Sequence, residues 1–159
     1  MKIRDRTFNW GKSTFLMGVL NVTPDSFSDG GEFHTTKAAL AQAQYLIASG
    51  ADILDIGGQS TRPGAAEISP EEELNRVIPI IKAIREFSAI PISVDTTRAE
   101  IARACVATGA DIVNDISGAT FDAKMLSVVA ELGVPIVLMH IRGTPATMQK
   151  MTDYEDLIG

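Results

Sequence analysis

The feature that most constrains the fold is a regular alternation of short apolar runs with longer amphipathic segments. The apolar runs lie at 15–21, 52–56, 91–95, 111–114 and 135–139. They are almost continuously hydrophobic, which is typical of strands buried on both faces of a parallel sheet. Strands that alternate with helices predict a parallel α/β sheet. We therefore predict five parallel strands joined by four helices, with a further helix that begins near Thr152 or Asp153.

Capping signals predict where the helices begin and end. Ser69 is a candidate N-cap, Pro70 occupies the first helical position, and Glu72 completes a capping box. Thr97 and Glu100 form a second capping box before the third helix. The other signals are a Thr N-cap and a terminal Gly50 for the segment 35–50, and a cap at Asp122 and a terminal Gly133 for the segment 124–133.

Charge and cysteine content exclude several kinds of protein. The net charge is -6 and no basic cluster is present, which argues against a nucleic acid partner. No apolar run approaches the roughly 20 residues of a membrane span, and the first residues are charged, unlike a signal peptide. Cys105 is the only cysteine, so an internal disulfide is impossible, and its helical context predicts a core position. We expect a cytoplasmic protein without nucleic acid or membrane partners.

Two architectures fit the β-α alternation. One is a (β/α)8 barrel, of which residues 1–159 would form the first five strands and their helices, and the other is a doubly wound open sheet. The segments SGADILDIGG (49–58) and TGADIVNDISG (108–118) resemble each other, as alternate strands of one barrel would. The pattern alone does not separate the two.

Both architectures bind ligands at the carboxyl ends of their strands. Asn21, Asp95 and Asn114 lie at such ends, and carboxamides and carboxylates recognise a heterocycle that carries N–H donors and ring-nitrogen acceptors. Arg62, after the second strand, has a planar guanidinium suited to a phosphate or diphosphate. The Asn21 side chain offers a hard oxygen for Mg²⁺ beside ligand phosphates.

Each candidate also has a structural interpretation. Asp95 precedes two threonines and would serve equally as a helix cap, and Asn114 would serve to end a strand. Arg62 would be a solvated charge, and Asp55 is expected to satisfy backbone groups of the neighbouring loop. His140 is more often structural in such a position. The chain has no Ser-His-Asp set, no CxxC or HExxH pattern, and no GxGxxG or P-loop motif.

Four long motifs connect these residues to a known family. GVLNVTPDSFSDGG and GADILDIGGQSTRPGA, followed by SVDTTRAEIARACVATGADIVNDISG and IVLMHIRGTPATMQ, resemble the signatures of dihydropteroate synthase. The resemblance runs from about Phe15 to the end of the chain. It implies a (β/α)8 barrel and a transferase of folate biosynthesis, the sulfonamide target. That enzyme joins 6-hydroxymethyl-7,8-dihydropterin diphosphate to 4-aminobenzoate, releasing diphosphate, and its full-length form would be a homodimer.

The same resemblance implies a role for each matching residue. Arg62 and Asp29 would be catalytic, with Asp29 helping to order the closed first loop. The binding residues would be Asn21 for Mg²⁺ together with the diphosphate, Thr61 and Arg62 for the diphosphate-bearing substrate, Asp95 and Asn114 for the pterin ring, Ile116 and Met139 for its apolar walls, and Phe27 and Pro63 for the aminobenzoate pocket.

The sequence departs from the family pattern in two ways. Gln59 stands where the family commonly has Glu, which puts in doubt any ion pair made there. A (β/α)8 barrel takes about 250 residues, so five strands predict that the 159-residue chain is inactive alone. The alternatives are a non-catalytic pterin-binding or assembly half-barrel and a corrinoid-dependent methyltransferase pterin-binding domain.

Overall fold

The computed structural model describes residues 1–23, 32–60 and 66–156. The strands are β1 (Lys2–Ile3), β2 (Arg6–Thr7), β3 (Met17–Asn21), β4 (Ile53–Gly57), β5 (Ile92–Asp95), β6 (Ile112–Asp115) and β7 (Ile136–Leu138). The helices are α1 (Glu32–Ala48), α2 (Pro70–Phe87), α3 (Ala99–Thr108) and α4 (Met125–Leu132), with a short 3-10 helix at Met148–Lys150. The five predicted strands and four predicted helices are confirmed. Residues 151–156 contain no helix, so a helix does not begin at Thr152 or Asp153.

The order of the strands decides between the two predicted architectures. Strands β3 to β7 form one sheet in sequential order, and each pairs in parallel with the next. A doubly wound sheet requires a reversal of winding direction, and the described strands contain none. Right-handed connections that always advance in the same direction place every helix on the same face. The sheet is therefore wound as a β/α barrel is.

The two faces of this sheet have different surroundings. The helix-covered face carries the main core, whose largest buried members include Leu54, Ile56, Ile92, Ile101 and Ile81. On the opposite face Val19 of β3 and Val137 of β7 are 56% and 44% exposed, so the outer strands are open to solvent there.

A second, smaller core closes the amino ends of the strands on the open face. Ile3, Phe8 and Phe15, which we call the N-terminal plug, pack on Ile53 of β4 and Ile112 of β6. The ring centroids of Phe8 and Phe15 are 4.9 Å apart. Trp10 also stacks on Phe8, with centroids 5.3 Å apart. The sequence pattern did not predict the β1–β2 hairpin that carries part of this plug, because strands of two residues leave no periodicity.

Asp111 ties the hairpin to the sheet. Its Oδ1 lies 2.6 Å from Nε of Arg4, in the hairpin turn, and its Oδ2 lies 2.6 Å from Nη2 of Arg85 on α2. The Ile92 amide also donates to Oδ2, at 2.9 Å. Arg85 donates further bonds to the carbonyls of Gly109, Ser88 and Ile90. Burial lowers the pKa of Arg85. One carboxylate thus joins β1–β2, α2, β5 and β6.

Helix starts agree only partly with their predicted caps. Ser69 Oγ accepts a bond from the Glu72 amide at 3.1 Å, as predicted, but the Glu72 carboxylate pairs with Arg76 rather than completing the box. Pro79 lies within an unbroken α2. Helix α1 begins at Glu32, so the predicted Thr N-cap of the segment 35–50 is wrong.

The start of α3 is capped from a distance. The predicted Thr97–Glu100 capping box is wrong, since helix α3 has no side-chain cap from its own N-terminal residues. Asp122 accepts from the Ala99 amide through Oδ2 at 2.8 Å and from the Lys124 amide through Oδ1 at 2.9 Å. One carboxylate therefore serves the first turns of both α3 and α4, and both bonds lower its pKa.

We expect Asp122→Ala to lower the free energy of unfolding by about 1 to 2 kcal/mol, because a cap is worth that much. The matched control is Thr97→Ala, which removes the cap that the sequence suggested and should change stability by less than about 0.5 kcal/mol. Urea unfolding at pH 7 measures both. The Asp122 contribution should fade as the pH falls below about 4, because the carboxyl is protonated first in the unfolded state and then, through its lowered pKa, in the folded state. Equal effects of the two variants would contradict this assignment.

Candidate functional site

Four positions lie at one level along the carboxyl edge of the sheet. Asn21 pairs with Gly57, Gly57 with Asp95, and Asp95 with Asn114. Directly paired residues of neighbouring strands project from the same face, and here it is the open face. The structure thus brings together Asn21, Asp95 and Asn114, as the sequence predicted.

Gly57 leaves space between two of these side chains. A Cβ atom at Gly57 would lie 3.3 Å from Oδ2 of Asp95 and 3.6 Å from Oδ1 of Asn21. The absence of a side chain therefore keeps a small concavity open between an amide oxygen and a carboxylate. A ligand atom can approach the backbone there, which is a common reason for glycine at such a position.

Asp55 and Ser93 form the layer beneath this row. Asp55 is 5% exposed, and its Oδ2 accepts a 3.0 Å bond from Nδ2 of Asn114. The Asp55 Oδ1 and the Ser93 Oγ are buried and have no hydrogen-bond partner in the part of the chain described. Asp55 bonds no backbone group among the described residues, and because residues 61–65 of the neighbouring loop lie outside them, that expectation stays a prediction. Two orphaned polar atoms beneath a ligand site are usually satisfied by water or ligand.

Burial changes the charge of the site. It raises the pKa of Asp95 to about 7, and the carboxylates of Asp55, Glu73 and Asp115 contribute in the same direction. Burial also raises the pKa of Asp55, against the opposing effects of the adjacent Ser93 hydroxyl and of the hydrogen bond from Asn114. Near neutral pH the Asp95 carboxyl is therefore poised between its neutral and charged forms, and so is able to donate as well as accept. Asp95 makes no cap bond to α3, so the helix-cap interpretation of Asp95 is wrong.

A buried ion pair forms the outer wall of the site. Glu73 of α2 is 2% exposed and accepts from Thr96 Oγ1 at 2.6 Å and from Arg98 Nη1 at 2.5 Å. Arg98 also donates to the Ile68 carbonyl at 2.8 Å and pairs with Glu67 at 2.9 Å. The pair therefore connects α2 with the segments before it and after β5.

An open cleft of about 630 Å³ lies over the carboxyl end of β5. Its volume is in the range of small-molecule sites. Among the residues that line it are Gln59, Glu67, Asp95, Thr96, Arg98 and Ile116.

The remaining predicted residues have different outcomes. Ile116 lines the cleft near Asp95. Met139, which is 40% exposed, follows β7, and its amide donates to the Asp115 carbonyl at 3.1 Å. His140 bonds Tyr154 through Nε2 at 2.9 Å and joins none of the site residues described above. Five predicted residues lie outside the described ranges: Phe27, Asp29, Thr61, Arg62 and Pro63.

A sequentially wound parallel sheet with a polar ligand site at its carboxyl edge defines the class of β/α-barrel enzymes. The chain belongs to the pterin binding enzyme family, whose model matches residues 17–159. The family match and the relatives named dihydropteroate synthase together confirm the resemblance seen in the sequence.

Three relatives give the extent of the similarity. The dihydropteroate synthase of Synechocystis is 62% identical over 152 residues, which cover 96% of this chain and 53% of the relative. The crystal structure of the Clostridium difficile dihydropteroate synthase with pteroic acid matches with a TM-score of 0.86 at 42% identity, over 96% of this chain and 55% of that one. The Yersinia pestis enzyme with a sulfonamide drug also gives 0.86 at 42% identity, over 98% and 56%. The chain thus spans about half the length of the relatives it matches.

Proposed function

We propose that this chain supplies the pterin-binding half of a dihydropteroate synthase. The reaction would join 6-hydroxymethyl-7,8-dihydropterin diphosphate to 4-aminobenzoate and yield 7,8-dihydropteroate and diphosphate. The observation that carries the proposal is the layered group of Asn114, Asp95 and Asp55 at the carboxyl edge. The Xanthomonas albilineans dihydropteroate synthase, 48% identical, has been solved with 4-aminobenzoic acid and, in a 43% identical chain, with 7,8-dihydropteroate.

This group has the donors and acceptors that a pterin ring requires. Because Asp55 accepts from Nδ2 of Asn114, it fixes the orientation of the amide and leaves the Asn114 oxygen available as an acceptor. Asp55 Oδ1 is a second acceptor without a partner in the described residues. Asp95 adds a carboxyl that donates when protonated. A flat heterocycle with alternating N–H groups and ring nitrogens satisfies all three residues.

The charge of the same group favours the reaction. The C–O bond between the pterin methylene and the diphosphate breaks, and the pair of electrons leaves with the diphosphate. The methylene cation then forms a C–N bond with the amine of 4-aminobenzoate, which loses a proton. Carboxylates that are already in place beneath the ring, Asp55 and Asp95, would stabilise the developing positive charge. Thr61 and Arg62 would hold the diphosphate, and Phe27, Pro63 and Asp29 would serve the aminobenzoate side.

The residues at this edge fit a magnesium ion that is bound mainly through the substrate. Mg²⁺ commonly takes one or two protein oxygens and completes its shell with phosphate oxygens and water. Asn21 Oδ1, beside the concavity at Gly57, is such an oxygen. No group of three or more His, Cys, Asp or Glu residues suited to a metal occurs in the described part of the chain. The ion would supply charge neutralisation of the leaving diphosphate.

The proposal also covers the domain organisation, oligomeric state, cellular compartment and partners of the protein. Residues 1–159 would be the N-terminal part of a single pterin-binding barrel domain, and the full-length enzyme would be a cytoplasmic homodimer. Its partners would be the two small substrates, without nucleic acid or membrane, and the acidic net charge supports the first exclusion. No helix in the described segments is long and apolar enough to span a membrane.

Reconstitution tests the proposal. We expect the purified 159-residue chain to form no dihydropteroate alone, and to form it when co-expressed with the C-terminal part of the Synechocystis relative, because β3 and β7 expose apolar residues that additional strands would cover. Radiolabelled 4-aminobenzoate in a host strain without its own enzyme measures product. Asn114→Ala should lower activity at least a hundredfold, and its matched control, exposed Asn9→Ala, should not.

Two results would contradict the proposal. A soluble complex that binds pteroic acid but forms no product would favour the binding or assembly module. Product formation that is unchanged in Asn114→Ala would show that the layered group is not the pterin site.

A further inference from the structure

The Asp115 side chain lies at the carboxyl end of β6 but on the face opposite to that of Asn114. Asp115 pairs with Leu138 of β7 and alternates with Asn114 along its own strand, so its side chain projects from the helix-covered face. Val113, which shares that face, belongs to the main core. Asp115 is 0% exposed. It therefore has no direct access to a ligand on the open face.

The Asp115 carboxylate bonds the loop that follows it. Its Oδ1 accepts from the amide and from the hydroxyl of Ser117, each at 2.7 Å. Its Oδ2 accepts from the Ala119 amide at 3.1 Å. Ala119 has a φ of +62°, a left-handed conformation that is costly for a residue with a Cβ atom. The three bonds offset the burial of the carboxylate, and the bond to Ala119 holds the strained turn in place.

The backbone of the same loop is joined to the end of β7. The Asp115 carbonyl accepts from the Met139 amide at 3.1 Å and from the Gly118 amide at 3.3 Å. A Cβ atom at Gly118 would lie 2.9 Å from the Met139 carbonyl oxygen, closer than Cβ atoms pack in proteins. The obstacle is backbone, which cannot rotate out of the way as a side chain can. The loop and the end of β7 lie this close together because residue 118 is glycine.

This joint lies just past the carboxyl edge of the sheet, beside the row that contains Asn114. Ile116, two positions beyond Asn114, lines the cleft together with Asp95. Met139 lies two positions beyond the β7 residue that pairs with Asn114. The separation of these two apolar side chains therefore depends on how closely the loop lies against β7. Apolar side chains at a fixed separation suit a flat ring.

We propose that Asp115 and Gly118 are positioning residues that join the loop 115–119 to the end of β7 and thereby hold Ile116 and Met139 at the separation that a pterin ring requires. Neither Asp115 nor Gly118 needs to touch the ligand for this role. The part of the proposal that concerns the pterin rests on the proposed function, whereas the joint between the loop and β7 does not.

Hydrogen exchange of the 159-residue chain tests the joint. Gly118→Ala forces the Met139 carbonyl to move, so peptides that contain Met139 but not Gly133 should exchange about tenfold faster than in the wild type at pH 7. The matched control is Gly133→Ala. Gly133 has a φ of +67°, close to the +62° of Gly118, but its Cβ would meet nothing within 4 Å. The control therefore carries the same backbone strain and should change exchange of these peptides by less than about twofold.

Two further variants test the carboxylate and keep the proposal falsifiable if Gly118→Ala does not fold. Asp115→Asn replaces one acceptor oxygen with an NH2 group, which would face a donor of Ser117 or Ala119. We expect exchange at Met139 to be about tenfold faster in this variant as well. Ser117→Ala removes only one of the two donors to Oδ1 and should accelerate exchange by about threefold or less.

The reconstituted protein gives the functional readout. We expect Gly118→Ala to weaken pteroic acid binding about tenfold and to raise the KM for the pterin substrate by a similar factor, with the KM for 4-aminobenzoate changed by less than about twofold. Gly133→Ala should change none of the three. A mere loss of stability would lower the amount of active enzyme and leave both KM values unchanged, so a selective rise in one KM identifies a positioning role.

Three results would overturn the proposal: unchanged exchange at Met139 in both Gly118→Ala and Asp115→Asn, effects of the same size in Gly133→Ala, or faster exchange with unaltered affinity for pteroic acid. If the exchange differences appeared as expected while the wild type itself bound no pteroic acid, the proposed function would be refuted and the joint would stand.

Discussion

Asp95→Asn is expected to raise the free energy of unfolding by about 2 to 4 kcal/mol at pH 8 and to abolish measurable pteroic acid binding. The pKa of Asp95 is raised to about 7 by burial and by three neighbouring carboxylates. A shift of one unit corresponds to about 1.4 kcal/mol. Asparagine keeps the shape of the side chain but removes the charge, and it replaces one of the two acceptor oxygens with an NH2 group that only donates.

The stabilisation by Asp95→Asn should increase as the pH rises. The Asp95 carboxyl binds its proton more tightly in the folded chain than in the unfolded chain, where its pKa is about 4. The folded state is therefore favoured below about pH 4, and this advantage disappears as the pH rises through about 7. The stabilisation by Asp95→Asn should accordingly be less than half as large at pH 5 as at pH 8.

Urea unfolding at the two pH values measures the effect, and exposed Asp5→Asn serves as the matched control with no change expected. Stabilisation of equal size at pH 5 and pH 8 would contradict the raised pKa. Retained binding of pteroic acid would contradict the placement of Asp95 in the pterin site.

Asp111→Ala is expected to lower the free energy of unfolding by about 3 to 5 kcal/mol, as the loss of one partner of a buried ion pair does. The Asp111 and Arg85 side chains are only 13% and 14% exposed. The substitution leaves the Arg85 guanidinium buried without its carboxylate and removes the acceptor of the Ile92 amide. Thermal and urea unfolding at pH 7 measure the loss.

Two variants separate this effect from general loss of packing. Arg4→Ala removes the 35% exposed partner of Asp111 and should cost only about 1 kcal/mol. The double variant Asp111→Ala, Arg85→Met should recover part of the loss, because it leaves no unpaired charge. A cost below about 1 kcal/mol for Asp111→Ala, or no recovery in the double variant, would show that the charge pair is not what holds these elements.

The strands of the sheet were predictable because each is marked by a signal within its own stretch of sequence. Continuous apolar runs such as 52–56 and 91–95 have few alternatives to a buried strand. The sequence did not decide whether the sheet reverses its winding, because that depends on which strands pair, and register is a long-range property. Caps show the same limit: Ser69 acts on an amide three residues away and was predicted, whereas Asp122 acts on Ala99 and was not.

The site was predictable to the same degree. Asn21, Asp95 and Asn114 follow from one rule, since carboxyl ends of parallel strands meet at one edge. The bond between Asp55 and Asn114 did not follow, because it joins residues 59 apart and depends on the register of three strands. An acidic residue within an otherwise apolar strand, on the same face as the strand-end residue two positions later, was the available signal for Asp55.

The aromatic contact at the amino ends of the strands has a consequence for spectroscopy. Trp10 is the only tryptophan of the chain and stacks on Phe8. The row of Asn21, Asp95 and Asn114, where we propose that the pterin binds, lies at the opposite ends of the same strands. Tryptophan fluorescence should therefore report release of the β1–β2 hairpin, while the absorbance of a bound pterin should report changes at the carboxyl edge of the sheet. These two optical signals distinguish fraying at one end of the sheet from events at the other within a single cuvette.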